Sequence, residues 1–139
     1  IYSNKFQSKV YLNFISKISN LKFDCIGLSF VQNAKIVQTL KKKYKNKIFI
    51  SKIENYLGYL NRKEIIKTSD AIMIDRGDLA AEIGLSGLYD AVLSISEITK
   101  SCGKPLIMAT ENLESMINRE LPSKSDVMSI VHSISGTLQ

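Results

Sequence analysis

The chain has 139 residues, of which 45% are hydrophobic and 23% charged, a balance that fits one globular domain and excludes both a disordered polymer and a bundle of membrane spans. No apolar run approaches the ~20 residues a spanning helix requires, and the opening Ile1-Tyr2-Ser3-Asn4-Lys5 shows neither a secretory signal nor an initiator Met, so the beginning is expected to be absent. The net charge of +6 gathers in Lys41-Lys42-Lys43-Tyr44-Lys45-Asn46-Lys47, at the end of an amphipathic helix where cations complement the helix dipole, so nucleic acid is not an expected partner.

Short β-rich runs alternate with stretches of helical period. In chain order the pattern predicts a helix at 8–19, a strand at 25–30, a helix at 33–45 and a strand at 47–53. A helix at 62–68, a strand at 71–74, a helix at 86–101 and a strand at 105–109 follow, with a last helix carrying His132. The helices show apolar residues at three- and four-residue spacing, as in Ile36, Leu40 and Tyr44, or Leu88, Val92, Ile95 and Ile98. Gly103-Lys104-Pro105 combines a glycine stop with a proline that enters the next strand. Such βα units make a parallel sheet, either open and doubly wound or part of an eight-stranded barrel. No glycine-rich phosphate loop follows the first strand, whereas polar residues follow all four strands, and this favours the barrel.

The chemistry therefore belongs at the carboxyl ends of the strands. In Ile48-Phe49-Ile50-Ser51-Lys52-Ile53-Glu54-Asn55, alternation sends Lys52 and Glu54 to one side. A simple salt bridge is one reading. A lysine inside a barrel is costly unless it is paired or meets an anionic ligand, which puts function slightly ahead. Ile72-Met73-Ile74-Asp75-Arg76-Gly77-Asp78-Leu79 is an apolar run that breaks into Arg-Gly-Asp where the next helix begins. Asp78 either caps that helix or joins Glu54 around a divalent cation; two carboxylates suit Mg²⁺, which keeps waters and takes further ligands from a phosphorylated or carboxylated substrate. Gly77 permits close backbone approach, with N–H groups behind it for an anion. Thr110 is the first polar residue after the fourth strand, an N-cap or a hydroxyl at the same rim. Cys25 and Cys102 have no ligand-spaced neighbours and read as small buried thiols, and His132 reads as structural.

Lys-x-Glu, Gly-Asp and Thr in this order are more specific together than singly. With Leu28-Ser29-Phe30-Val31-Gln32, Gly103-Lys104-Pro105 and Leu113-Glu114-Ser115-Met116-Ile117, the chain resembles the pyruvate kinases over about residues 24–127. The resemblance implies an α/β fold that is a partial TIM (β/α)8 barrel, residues 1–139 supplying roughly strands 4 to 7, with the lid domain and the C-terminal regulatory domain absent. It implies phosphoenolpyruvate plus ADP giving pyruvate plus ATP. It makes Lys52 the catalytic, substrate-binding lysine and Glu54 and Asp78 the ligands of Mg²⁺ or Mn²⁺. Gly77, Asp78 and Thr110 become substrate contacts, and K⁺ is expected with ligands outside these residues. A cytoplasmic homo-oligomer, a tetramer by resemblance, is expected, with no membrane partner; the isolated chain is not expected to turn over substrate.

Several positions depart from the family pattern: Asp75 stands for an alanine, Ala80 for a glycine and Glu111-Asn112 for Gln-Met, while Leu121-Pro122-Ser123-Lys124-Ser125-Asp126-Val127 is shortened and lacks an arginine. Two other readings stay open. One is a different metal-dependent barrel acting on pyruvate enolates, an aldolase or lyase, for which a carbonyl-polarising arginine is expected in place of Lys52. The other is a non-catalytic module that binds a ligand or a partner chain, favoured by the departures.

Overall fold

The computed structural model describes the backbone of residues 4–18 and 21–137, and the side chains of 9–18 and 21–134. Strands β1 (Cys25–Leu28), β2 (Ile48–Ile53), β3 (Ala71–Asp75) and β4 (Leu106–Ala109) form one sheet in the order β1-β2-β3-β4, with each neighbouring pair parallel. A doubly wound sheet reverses its order at a switch point, and this one does not. Strands that advance one place at a time, through crossovers of one hand, lay their helices on a single face. The sheet is thus an arc of a barrel wall.

Helices α2 (Ala34–Lys43), α4 (Arg62–Thr68) and α6 (Leu85–Ser101) form the outer layer, with α4 packed between the other two. The core lies between this layer and the sheet. From β2 it takes Phe49 and Ile53, from β3 Ile72 and Ile74, and from the helices Val37, Leu40, Ile65, Ile66, Val92 and Ile95. Alternation along β2 buries Phe49, Ser51 and Ile53 and leaves Ile50 and Lys52 half-buried on the opposite, concave face. Helix α1 (Asn4–Ile18) buries Ile15 and lays Tyr11 and Leu12 against the core, and residue 19 of the expected first helix lies outside the described residues.

The ends of these elements follow local chemistry. Asn33 caps α2, its side chain accepting from the Ile36 N–H at 3.4 Å. The C-terminus of α6 is a Schellman motif: Gly103, at φ +62°, donates its N–H to the Lys100 carbonyl at 2.8 Å, and Lys104 donates to that of Thr99 at 3.1 Å. Lys104 then reaches across to α4, its ammonium donating to the carbonyls of Ile66, at 2.7 Å, Lys67 and Ser69. Lys41 does the same from α2, donating to the Thr68 carbonyl at 3.1 Å while pairing with Asp70. Part of the lysine run therefore caps a neighbouring helix. Lys47 likewise lies over the Phe23 ring, 4.0 Å from its centroid.

Cys25 is exposed, contrary to the expectation of a buried thiol, because alternation along β1 buries Ile26 and Leu28 against the helices and leaves Cys25 on the opposite face; Cys102 is half-buried against the core. His132, on the last helix α7 (Lys124–Thr137), is exposed beside the Tyr89 ring, with centroids 5.8 Å apart.

A short helix that the hydrophobic period does not announce, α3 (Tyr56–Leu60), follows β2 directly. Asn55 caps it by accepting from the Gly58 N–H at 2.7 Å. A Cβ on Gly58 would lie 2.5 Å from the Val31 carbonyl oxygen, a backbone atom of the loop after β1. Gly58→Ala is therefore expected to lower stability by about 1–3 kcal/mol, measured by urea denaturation; an unchanged midpoint would show that the two segments separate freely.

Candidate active site

Period two and strand register bring the first groups together. Lys52 and Met73 are partners in the β2–β3 ladder, so Glu54 and Asp75, each two residues further on, continue along the same concave face. Glu54 is fully buried, and a buried carboxylate needs partners. Its Oε1 meets the Lys52 ammonium, and its Oε2 accepts from the N–H of Phe30, which the loop after β1 presents at φ +55°. Asp75 Oδ2 lies 3.6 Å from the same ammonium. Burial works to lower the Lys52 pKa, but the hydrogen bonds and charges of Glu54, and then of Asp75, outweigh it and hold the group above its ordinary value. Lys52 is a fixed cation at neutral pH. Nearby, burial and the Glu54 charge push the Tyr11 phenol up to about 12, so it stays neutral.

The helix after β3, α5 (Arg76–Ile83), starts at the rim. Asp75 is its N-cap, with Oδ1 accepting from the Asp78 N–H at 3.5 Å. This corrects the alternative that Asp78 caps the helix: Asp78 stands in the first turn with its carboxylate exposed, and the strand's last residue takes the capping place. Gly77 keeps the helix start open. A Cβ there would meet Asp75 Oδ1, Glu111 Oε1 and Thr110 Oγ1, each at 3.8 Å, so the space above it is bounded by three oxygens.

After β4 the chain bends sharply. Thr110, Glu111 and Leu113 have φ of +64°, +53° and +55°, a region that side chains avoid at a cost of order 1–3 kcal/mol each. Thr110 is thus not an N-cap. Its hydroxyl accepts from the Gly77 N–H at 3.3 Å and directs its proton to Asp75 Oδ1 at 3.2 Å or to the Ala109 carbonyl at 2.7 Å. Arg76 holds the bend: its guanidinium donates to the Thr110 carbonyl, to Asn112 Oδ1 at 2.8 Å and to Ser129 Oγ at 2.7 Å on α7. Helix α7 is anchored by a capping box, in which the Ser123 N–H donates to Asp126 Oδ2 at 2.8 Å and the Asp126 N–H to Ser123 Oγ at 3.1 Å. The Ser115 hydroxyl also donates to Asp126.

Glu54, Asp75 and Asp78 each offer one oxygen within 4.8 Å of the others. Against these three carboxylates stands one ammonium, Lys52, which leaves a formal charge of −2. A hard divalent cation with oxygen ligands fits that donor set. The backbone N–H of Gly77 and the Thr110 hydroxyl lie beside it, so a cation position and an anion position adjoin at the strand ends.

Residues 8–137 match the protein family described as "Pyruvate kinase, barrel domain". The chain belongs to the pyruvate kinase family. It is 37% identical over 112 residues to the pyruvate kinase of Encephalitozoon cuniculi, which covers 80% of this chain and 26% of that protein. It is 34% identical over 117 residues to a pyruvate kinase of Glycine max named as a cytosolic isozyme, covering 81% and 23%. In structure it is similar to a pyruvate kinase from Cryptosporidium parvum, with a TM-score of 0.78, 31% identity and coverage of 98% of this chain and 29% of the other. The chain spans about a quarter of the length of these curated relatives.

Within this pyruvate kinase barrel segment the fold places Lys52, Glu54, Gly77, Asp78 and Thr110 on one rim, as their motifs anticipate. Sequence reasoning gave Asp75 no ligand or capping role, although its alternation with Met73 is a signal that it faces Lys52. It gave no role to Arg76 or to the Phe30 N–H, and no local pattern marks either.

Hydrogen bonds from Ser115 and Ser123 pull the Asp126 carboxyl from its ordinary 3.8 to about 2. A lowered folded value means that this contribution to stability is present above 3.8 and is lost as pH falls through about 2. An NMR titration is expected to show a midpoint near 2, moving up toward 3.8 in Ser115→Ala and Ser123→Ala; an unshifted midpoint in the unaltered chain would contradict the network.

Proposed function

We propose that this rim is the metal-and-lysine part of a pyruvate kinase site, serving phosphoryl transfer from phosphoenolpyruvate to ADP to give pyruvate and ATP. The observation that carries the reading is the Lys52 ammonium fixed beside three carboxylates at the strand ends, in a chain of that family. Phosphoryl transfer asks little covalent chemistry of a protein and depends on positioning and on cations near the oxygens of donor and acceptor. Lys52 supplies one such cation on a strand, pinned by Glu54. Glu54 and Asp78 would hold Mg²⁺ or Mn²⁺, which would supply positive charge beside the transferring group. The N–H groups of Gly77 and Asp78 and the Thr110 hydroxyl receive the substrate carboxylate.

The setting follows the family: a cytosolic, homo-oligomeric glycolytic enzyme with K⁺ as second activator, its ligands lying outside these residues. Among the described residues no helix is long and apolar enough to cross a membrane. The Lys52 side chain is 21% exposed in this arc, and electrostatic stabilisation is worth less where water enters than in an enclosed site; turnover by the isolated 139 residues is not expected.

Two measurements test the roles. In a coupled assay of pyruvate formation by the full-length protein, Lys52→Met is expected to lower kcat by about 10²–10³-fold, the scale of losing a charge-stabilising donor; equal rates would remove Lys52 from the chemistry. In an electron paramagnetic resonance titration, Asp78→Ala is expected to weaken Mn²⁺ binding at least tenfold, and binding that survives unchanged would show that the ligands are wrong.

A further inference from the structure

Of the three carboxylates grouped within 4.8 Å at the concave rim, Asp75 is the one that the proposed reaction does not use. Asp75 projects from the last position of β3 into the space above Gly77. Its Oδ1 is 3.5 Å from the Asp78 N–H and 3.2 Å from the Thr110 hydroxyl, and its Oδ2 is 3.6 Å from the Lys52 ammonium. It also stands within 4.8 Å of the ligand oxygens of Glu54 and Asp78. Of the groups that would receive a ligand carboxylate at this rim, the Asp78 N–H and the Thr110 hydroxyl therefore already face a carboxylate of the chain itself, while the Gly77 N–H donates to that same Thr110 hydroxyl.

We propose that Asp75 is an internal occupant of the carboxylate subsite, competing with the carboxylate of a 2-oxo acid or enol phosphate ligand while lending the divalent cation a third protein ligand. The proposal rests on the functional reading above. Two like charges cannot both be accommodated on one hydroxyl and one helix N-terminus without mutual repulsion, so an incoming carboxylate has to turn Asp75 out. Until it does, the cation is held by three carboxylates of the protein and is bound more firmly in the absence of ligand. Asp75 thus shifts the rim away from binding a carboxylate and toward binding a cation. It is a specificity-determining residue; Lys52 keeps its part in the chemistry.

Asp75→Asn separates this role from the capping role, because Asn caps a helix about as well as Asp but carries no charge. With the full chain, Mn²⁺ and pyruvate are the probes, read by electron paramagnetic resonance and by calorimetry. The variant is expected to bind Mn²⁺ alone more weakly, by roughly three- to tenfold, and to bind pyruvate at saturating Mn²⁺ about tenfold more tightly, a change of about 1.4 kcal/mol. A loss of structure alone would weaken both. Asp75→Ala, which also removes the cap, is expected to move the pyruvate affinity in the same direction. If pyruvate binds the unaltered chain and Asp75→Asn equally, or binds the variant more weakly, the competition is refuted and the functional reading stands. If both bind Mn²⁺ and neither binds pyruvate, the carboxylate subsite itself is wrong and the proposal falls with it.

Discussion

A carboxylate without access to water is the constraint around which this rim is built. Glu54 is fully buried at the end of β2, and an unpaired charge there would cost several kcal/mol. Two groups from different parts of the chain answer it: the Lys52 ammonium, brought to the same face by strand alternation, and the Phe30 N–H, brought by the bend after β1. The pairing has two sides. Lys52 stays protonated because Glu54 and Asp75 flank it, and the loop after β1 is tied to the end of β2, where the Val31 N–H also donates to the Lys52 carbonyl at 3.3 Å. The carboxylate that holds the Lys52 ammonium is therefore also what ties down the loop after β1.

From that point the rim is assembled by helix starts and bends. Asp75 ends β3 and begins α5 in one residue, so the strand delivers a side chain to the site and the helix delivers N–H groups to the same place. The left-handed bend at Thr110 and Glu111 is unfavourable by itself, and it persists because Arg76 donates to the Thr110 carbonyl, to Asn112 and to Ser129 together. Arg76 thereby positions the hydroxyl that stands against Asp75 and the Gly77 N–H. The anchoring extends through Ser115 and Asp126 to the start of α7, so the segment after β4, although poor in regular structure, is held at several points.

Much of the architecture is legible in the amino acids. The alternation of apolar runs and helical period yields four strands and the helices α2, α4 and α6 between them, within one or two residues at most ends, but not the shorter α3 and α5, and Gly103 before Pro105 announces the Schellman end of α6. Strand alternation alone brings Lys52 and Glu54 together. Other features depend on distant partners. Ser29 and Phe30 leave the strand that the run 25–30 predicts, and the Phe30 N–H reaches instead for a carboxylate 24 residues on. Gly58 looks like an ordinary helix glycine until the Val31 carbonyl is seen against it. Cys25, in an apolar run, is exposed because the helices cover only the face of β1 that carries Ile26 and Leu28.

The sequence by itself determined the βα rhythm, the family and the residue types at the strand ends, because periodicity, capping and turn chemistry are local and act between neighbours in the chain. It also marked Asp75 as unusual without assigning it a place. Only the tertiary structure decided that Asp75, and not Asp78, caps α5, and that one carboxylate joins Glu54 and Asp78 while standing against Lys52 and Thr110. The physical reason is register. Which end groups of β2, β3 and β4 stand level with one another is set by the pairing of whole strands, Lys52 with Met73 and Asp75 with Ala109, and that pairing is fixed by burying the opposite face of the sheet beneath the helices.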